Sequence, residues 1–137
     1  DHVFDVVCGI QTLEHWEEPG SRFCVGGYQE VLGEVWRVLK PGGWIYLDAP
    51  IHVHGAPEFV RGDVDKIRMI FSYQDWRNVR LMSWRRLHEP LRMRYPPKLD
   101  QGQWTRCVPD STADERAKLA MKSAWVIAIR ADKPPPE

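Results

Sequence analysis

Apolar residues stand at Val31, Leu32, Val35, Trp36, Val38 and Leu39, a spacing that lines one broad stripe of an α-helix. Lys40 follows in what this spacing makes the last turn, where a cation suits the negative end of the helix dipole. Pro41 cannot continue a helix, and Gly42-Gly43 can take the positive φ values of a tight reversal. Trp44 to Leu47 then runs apolar without a break and reads as a buried strand. Upstream, the stretch from Val3 to Ile10 is rich in β-branched and aromatic residues, with Asp5 as its only charge, and reads as another strand. Strand, loop, amphipathic helix and strand make a βαβ unit, whose crossover is expected to be right-handed.

Within the unit's polar connection, Ser21 is placed to cap a short helix. Beyond this unit the pattern is looser. Asp63 is placed to N-cap a helix running through Phe71, with Val64, Ile67 and Phe71 on its inner face. Residues 78–86 fit an antiparallel strand with Val79 and Leu81 inward and arginines outward. Residues 96–111 read as a loop or hairpin excursion, 113–121 as a short helix, and 124–130 as the closing strand.

Composition narrows the class. The 137 residues carry 19 basic and 19 acidic side chains, so no global charge points to nucleic acid or to a membrane surface. No apolar run approaches the roughly 20 residues of a membrane helix. Cys8, Cys24 and Cys107 form no CxxC pattern and fit a reducing compartment, with the cytoplasm as the expected location. Arg77, Arg80, Arg85, Arg86, Arg92 and Arg94 interleave with Trp76, Trp84 and Tyr95, a pattern that can bind nucleic acid. The zero net charge favours a solvated strand face, and nucleic acid is not the expected partner.

Phe4-Asp5-Val6-Val7, then Leu13-Glu14-His15, then Glu34 to Gly43 with its Val38-Leu39-Lys40-Pro41-Gly42-Gly43 ending, resemble the second half of a class I S-adenosylmethionine-dependent methyltransferase of the type 11-like group. The resemblance implies an α/β fold: a partial Rossmann-like sheet of about four strands, the last ones antiparallel, with flanking helices. It implies a spatial strand order of first, second, fourth, third. Residues 1–131 are expected to form the C-terminal half of that domain, and 132–137 a disordered Pro-rich tail. The family's Gly-rich cofactor turn precedes the Phe-Asp-Val-Val strand, and no Gly-x-Gly-x-Gly follows a strand in this sequence. The expectation is therefore either a fragment of the enzyme or a remnant with another role.

The implied cofactor is S-adenosylmethionine, and the implied cofactor-side residues are Gly9, Gln11, Glu14 and His15, at the carboxyl end of the first strand. Open α/β sheets place ligands at that end. His52 and His54 leave the second strand at the same rim and alternate, so on an extended segment they point the same way. Either suits a general base that takes a proton from the methyl acceptor; His54-Gly55-Ala56-Pro57 resembles a His-Gly-x-Pro segment of the family. Arg61 is a candidate for pairing with a substrate carboxylate or phosphate. Two histidines do not make a metal site, no Cys or carboxylate stands at matching spacing, and no metal is expected. An edge strand from Val3 to Ile10 needs cover, so self-association into a homo-oligomer, or a partner on that edge, is expected. The competing reading is a non-catalytic, degenerate methyltransferase-like module acting in assembly.

Overall fold

A computed structural model describes residues 1–20, 26–86, 104–107 and 125–137, with side chains described for 1–20, 26–83 and 126–137. Its axis is β2 (Leu39–Ile51). This strand pairs in parallel with β1 (Phe4–Gly9) and antiparallel with β5 (Trp125–Asp132). β3 (Arg77–Arg86) pairs antiparallel with the far side of β5, and β4 (Trp104–Cys107) pairs antiparallel with β3. The sheet order is β1-β2-β5-β3-β4. The four strands expected from sequence thus lie in the expected order. A fifth, β4, adds itself from the stretch read as a loop or hairpin. Four residues are too few to show a period of their own, and their pairing with β3 is what makes them a strand. The helix expected at 113–121 and the cap at Ser21 lie outside the described residues.

Helix α1 (Tyr28–Val38) buries Tyr28 and Leu32 in the core, with Val31, Val35 and Trp36 packed against that core. It stops sooner than the apolar stripe suggests, because Leu39 is already extended at φ −71° and ψ 135°. Lys40 therefore does not sit in the last helical turn; its ammonium donates to Asp5 Oδ1 and Oδ2 at 3.1 and 2.9 Å across the strand pair. The Lys-Pro-Gly-Gly stretch is a bulge inside β2 rather than a reversal between helix and strand. Pairing advances two positions along β1, from Phe4 to Val6, while it advances five along β2, from Leu39 to Trp44. Gly43 is required in this bulge, since a Cβ there would meet the Asp5 and Lys40 carbonyl oxygens at 2.8 and 2.9 Å.

The segment read as a tail from residue 132 begins inside the fold. Asp132 closes β5, and the Lys133 backbone bonds both glycines of the bulge: Gly42 N–H donates to its carbonyl at 3.1 Å, and its N–H donates to Gly43 O at 2.8 Å. The Lys133 ammonium donates to Trp36 O at 2.5 Å and Leu39 O at 2.8 Å, and lies 5.1 Å from the Trp36 ring centroid. It satisfies end-of-helix carbonyls and offsets the negative end of the α1 dipole. Burial pushes its pKa below the ordinary lysine value.

Ile45, Leu47, Ala49 and Ile51 of β2 are buried, and Leu81, Ile127 and Ile129 continue that core across the sheet. On β3, Leu81 is buried and Val79 packs against the core while Arg77 and Arg80 are exposed, the alternation expected from sequence. Asp63 caps α3 (Val64–Met69) by accepting from Lys66 N at 3.2 Å, and Val64, Ile67 and Phe71 are buried as expected. Trp76 closes this side, edge-on to Trp36 at 4.8 Å. The other side of β1 is open: among the described residues β1 pairs with β2 alone, and Val3, Phe4 and Val6 are exposed. Among the described residues, no helix is long and apolar enough to cross a membrane.

Candidate functional site at the carboxyl rim of β1 and β2

Because β1 and β2 are parallel, their carboxyl ends open onto one rim. After Gly9 the chain enters a 3-10 turn, Leu13–His15. After Ile51 it passes through residues 52–56 into α2 (Pro57–Arg61). The short helix α2 was not legible in the sequence. Pro57 stands in its first turn, and Gly62, at φ 67°, ends it in the left-handed region.

Gly9 lies where a Cβ would meet Leu47 Cδ2 at 2.6 Å and Thr12 Oγ1 at 2.8 Å, so a larger residue would have to displace both side chains. Gln11 holds a left-handed φ of 53°, a conformation that costs a non-glycine residue on the order of 1 kcal/mol or more. The Asp48 carboxylate offsets it, accepting from the Gln11 backbone N–H at 2.8 Å and from its side-chain amide at 3.2 Å. Asp48 itself is buried on β2. It is a site residue that sequence reading missed, although a lone carboxylate in an apolar strand was the signal.

Leu13 anchors the turn in the core, and Glu14 beside it has no exposed surface. Neither Glu14 carboxylate oxygen makes a hydrogen bond of normal geometry among the described residues. Oε1 lies 3.5 Å from His15 Nε2 and 3.6 Å from His54 Nε2. Burial pushes the Glu14 carboxyl above its ordinary range; its own backbone N–H and the two imidazoles oppose that shift, and Asp48 adds to it. His15 Nδ1 is 2.5 Å from Glu18 Oε2, one 3-10 or helical turn along the chain. The His15 and His54 rings stack at 5.0 Å between centroids, 23° from parallel.

The apposition of the two loops depends on Gly55. Its φ is 106°, and a Cβ there would lie 2.6 Å from Glu14 Cβ and 2.8 Å from Glu14 O. Ala56 N–H donates to Glu14 O at 2.7 Å, which fastens the second loop to the first. Thus the His54-Gly55-Ala56 stretch lies directly on Glu14.

Two expectations change here. His52 and His54 do not point the same way, because the chain is no longer extended: His52 has φ 60°. Its N–H donates to Phe59 O at 3.1 Å and its Nδ1 lies 2.9 Å from Val60 O, so it ties the loop to α2. The matching carboxylate that sequence spacing did not supply is Glu14, brought to His54 from forty positions earlier by the parallel strand pair. Arg61 is exposed on the last turn of α2, outside this cluster. A hollow of about 360 Å³ walled by Trp44, Arg77, Arg130 and Asp132 lies toward the other end of β2 and gathers none of the sequence-predicted site residues.

Comparison with curated proteins and with solved structures gave no match. Residues 1–47 match the family model described as "Methyltransferase domain". This span covers β1, the 3-10 turn, α1 and β2 through Leu47, and so includes the Glu14–His15 side of the rim. The match covers about a third of the chain and, together with the mixed sheet, supports a class I S-adenosylmethionine-dependent methyltransferase-like domain.

Proposed function

We propose that the chain serves in an S-adenosylmethionine-dependent methyltransferase, with Gly9, Gln11, Glu14 and His15 on the cofactor side of the rim. The observation that carries this reading is that the family match ends within β2 and encloses the turn that brings these residues to the carboxyl end of the sheet. Bound S-adenosylmethionine would supply an electrophilic methyl group. The chain's own residues would position the acceptor and receive its proton. His54, half-exposed beside buried Glu14, is the imidazole at the rim suited to that task. His52, held by α2, supports the loop, and Arg61 offers a cation for an anionic acceptor at greater remove. A cytoplasmic location belongs to the same proposal, in keeping with Cys8, an exposed free thiol.

Calorimetric titration of the chain with S-adenosylmethionine tests it. Micromolar to millimolar binding, weakened at least tenfold by His15→Ala, is the expected result. Absence of heat at millimolar ligand would remove this rim from the cofactor site.

Self-association through β1 is part of the proposal. Phe4 and Val6 are exposed on a strand with one described neighbour, and unpaired strand edges recruit further strands. Sedimentation velocity should show a dimer or larger species that Val6→Lys converts to monomer. A wild-type chain that sediments as a monomer at every concentration would contradict it.

A further inference from the structure

The Glu14–His15–His54 cluster has a geometry that its proposed use in methyl transfer does not explain. Three ligand-type atoms, one carboxylate oxygen and two imidazole nitrogens, lie within 4.8 Å of one another. The two nitrogens stand 3.5 and 3.6 Å from the same Glu14 oxygen. Ligands about 2.0–2.2 Å from a tetrahedral ion are separated by roughly 3.3–3.6 Å. These two contacts are too long for good hydrogen bonds, and their lengths suit two edges of a coordination shell.

A second observation points the same way. Glu14 is fully buried, and among the described residues neither of its carboxylate oxygens accepts a hydrogen bond; a buried carboxylate without hydrogen bonds is costly unless a cation answers it. A third concerns orientation. With Glu18 2.5 Å from His15 Nδ1, a proton on that nitrogen would leave Nε2, on the Glu14 side of the ring, able to ligate an ion. A carboxylate behind a ligating imidazole is the usual support of a metal-bound histidine.

We infer that Glu14 Oε1, His15 Nε2 and His54 Nε2 form a site for a divalent transition-metal ion of the zinc type. Two imidazoles and one carboxylate are a borderline donor set that favours Zn²⁺ over Mg²⁺ or Ca²⁺. His54 is half-exposed and His15 is partly exposed, so the fourth position faces solvent and is open to water or to an oxygen of an acceptor. An ion there would take over the task assigned above to a free His54. It would lower the pKa of a coordinated hydroxyl, whose proton would then pass to solvent, while His54 serves as a ligand. The site does not depend on cofactor binding and is tested without it.

The chain is titrated with Zn²⁺ against a chromophoric chelator, and Co²⁺ is added separately to read its visible spectrum. One ion per chain, a tetrahedral-type Co²⁺ spectrum and a Zn²⁺-dependent rise in melting temperature are expected. Glu14→Gln and His54→Ala should each weaken Zn²⁺ at least tenfold while the metal-free chain still melts cooperatively. Cys8→Ser should leave affinity unchanged. Absence of saturable binding, equal affinity in Glu14→Gln, loss of binding in Cys8→Ser, or saturation by Mg²⁺ and not Zn²⁺ would each overturn the assignment.

Discussion

Gly55→Ala should cost about 3 kcal/mol of folding stability and pull the rim apart. Two effects add at this position. A φ of 106° is strained for any residue with a Cβ, at roughly 1–3 kcal/mol. The new methyl would also sit 2.6 Å from Glu14 Cβ and 2.8 Å from Glu14 O, where backbone on both sides must move. Gly42→Ala separates the two, because its φ is 82° with nothing within 4 Å of the new Cβ. Urea unfolding of both variants should show Gly42→Ala losing the conformational part alone and Gly55→Ala losing distinctly more. Equal losses would mean that the second loop does not lie on Glu14. The same displacement would lengthen the 2.7 Å bond from Ala56 N to Glu14 O and carry His54 away from the cluster.

Phe59→Ala should cost roughly 3–5 kcal/mol, the range for truncating a buried aromatic ring. The five-residue helix α2 is far too short to hold itself by its own hydrogen bonds. Phe59, with no exposed surface, fastens it to the core, and the Phe59 carbonyl accepts the His52 N–H at 3.1 Å. The ring therefore holds the loop that presents His54. Val60→Ala, one position along and 42 % exposed, should change stability by no more than about 0.5 kcal/mol. Chemical denaturation of the pair checks the contrast; comparable losses would show that α2 does not pack as described.

The helix α1, the strands β1, β2, β3 and β5 and their order were legible because each carries enough apolar residues to show a period, and because the Phe-Asp-Val-Val to Lys-Pro-Gly-Gly series is one ordered unit. The junction at residues 39–43 was misread for a physical reason. Pro-Gly-Gly can equally reverse a chain or bulge a strand, and the choice is made by Asp5 and Lys133, which the local sequence does not reveal. At the candidate site, Gln11, Glu14, His15 and His54 were expected at one rim from their positions after the strands and from the family resemblance. Their mutual contacts were not, since Glu14 reaches His54 only through the parallel pairing of β1 and β2 and the close approach at Gly55. His52 was misplaced because alternation holds only on an extended chain, and the chain bends at that residue. Asp48 went unnoticed since its role is to hold Gln11, a residue whose strain appears only in three dimensions.

The most direct test of a ligand rim at β1 and β2 is a ¹H–¹⁵N spectrum of the chain titrated with S-adenosylhomocysteine. The expected result is progressive shifts at Gly9, Gln11, Glu14, His15 and Gly55, with Arg77, Arg130 and Asp132 at the far hollow unmoved. A spectrum that does not respond, or one whose shifts centre on Trp44 and Arg130, would contradict it.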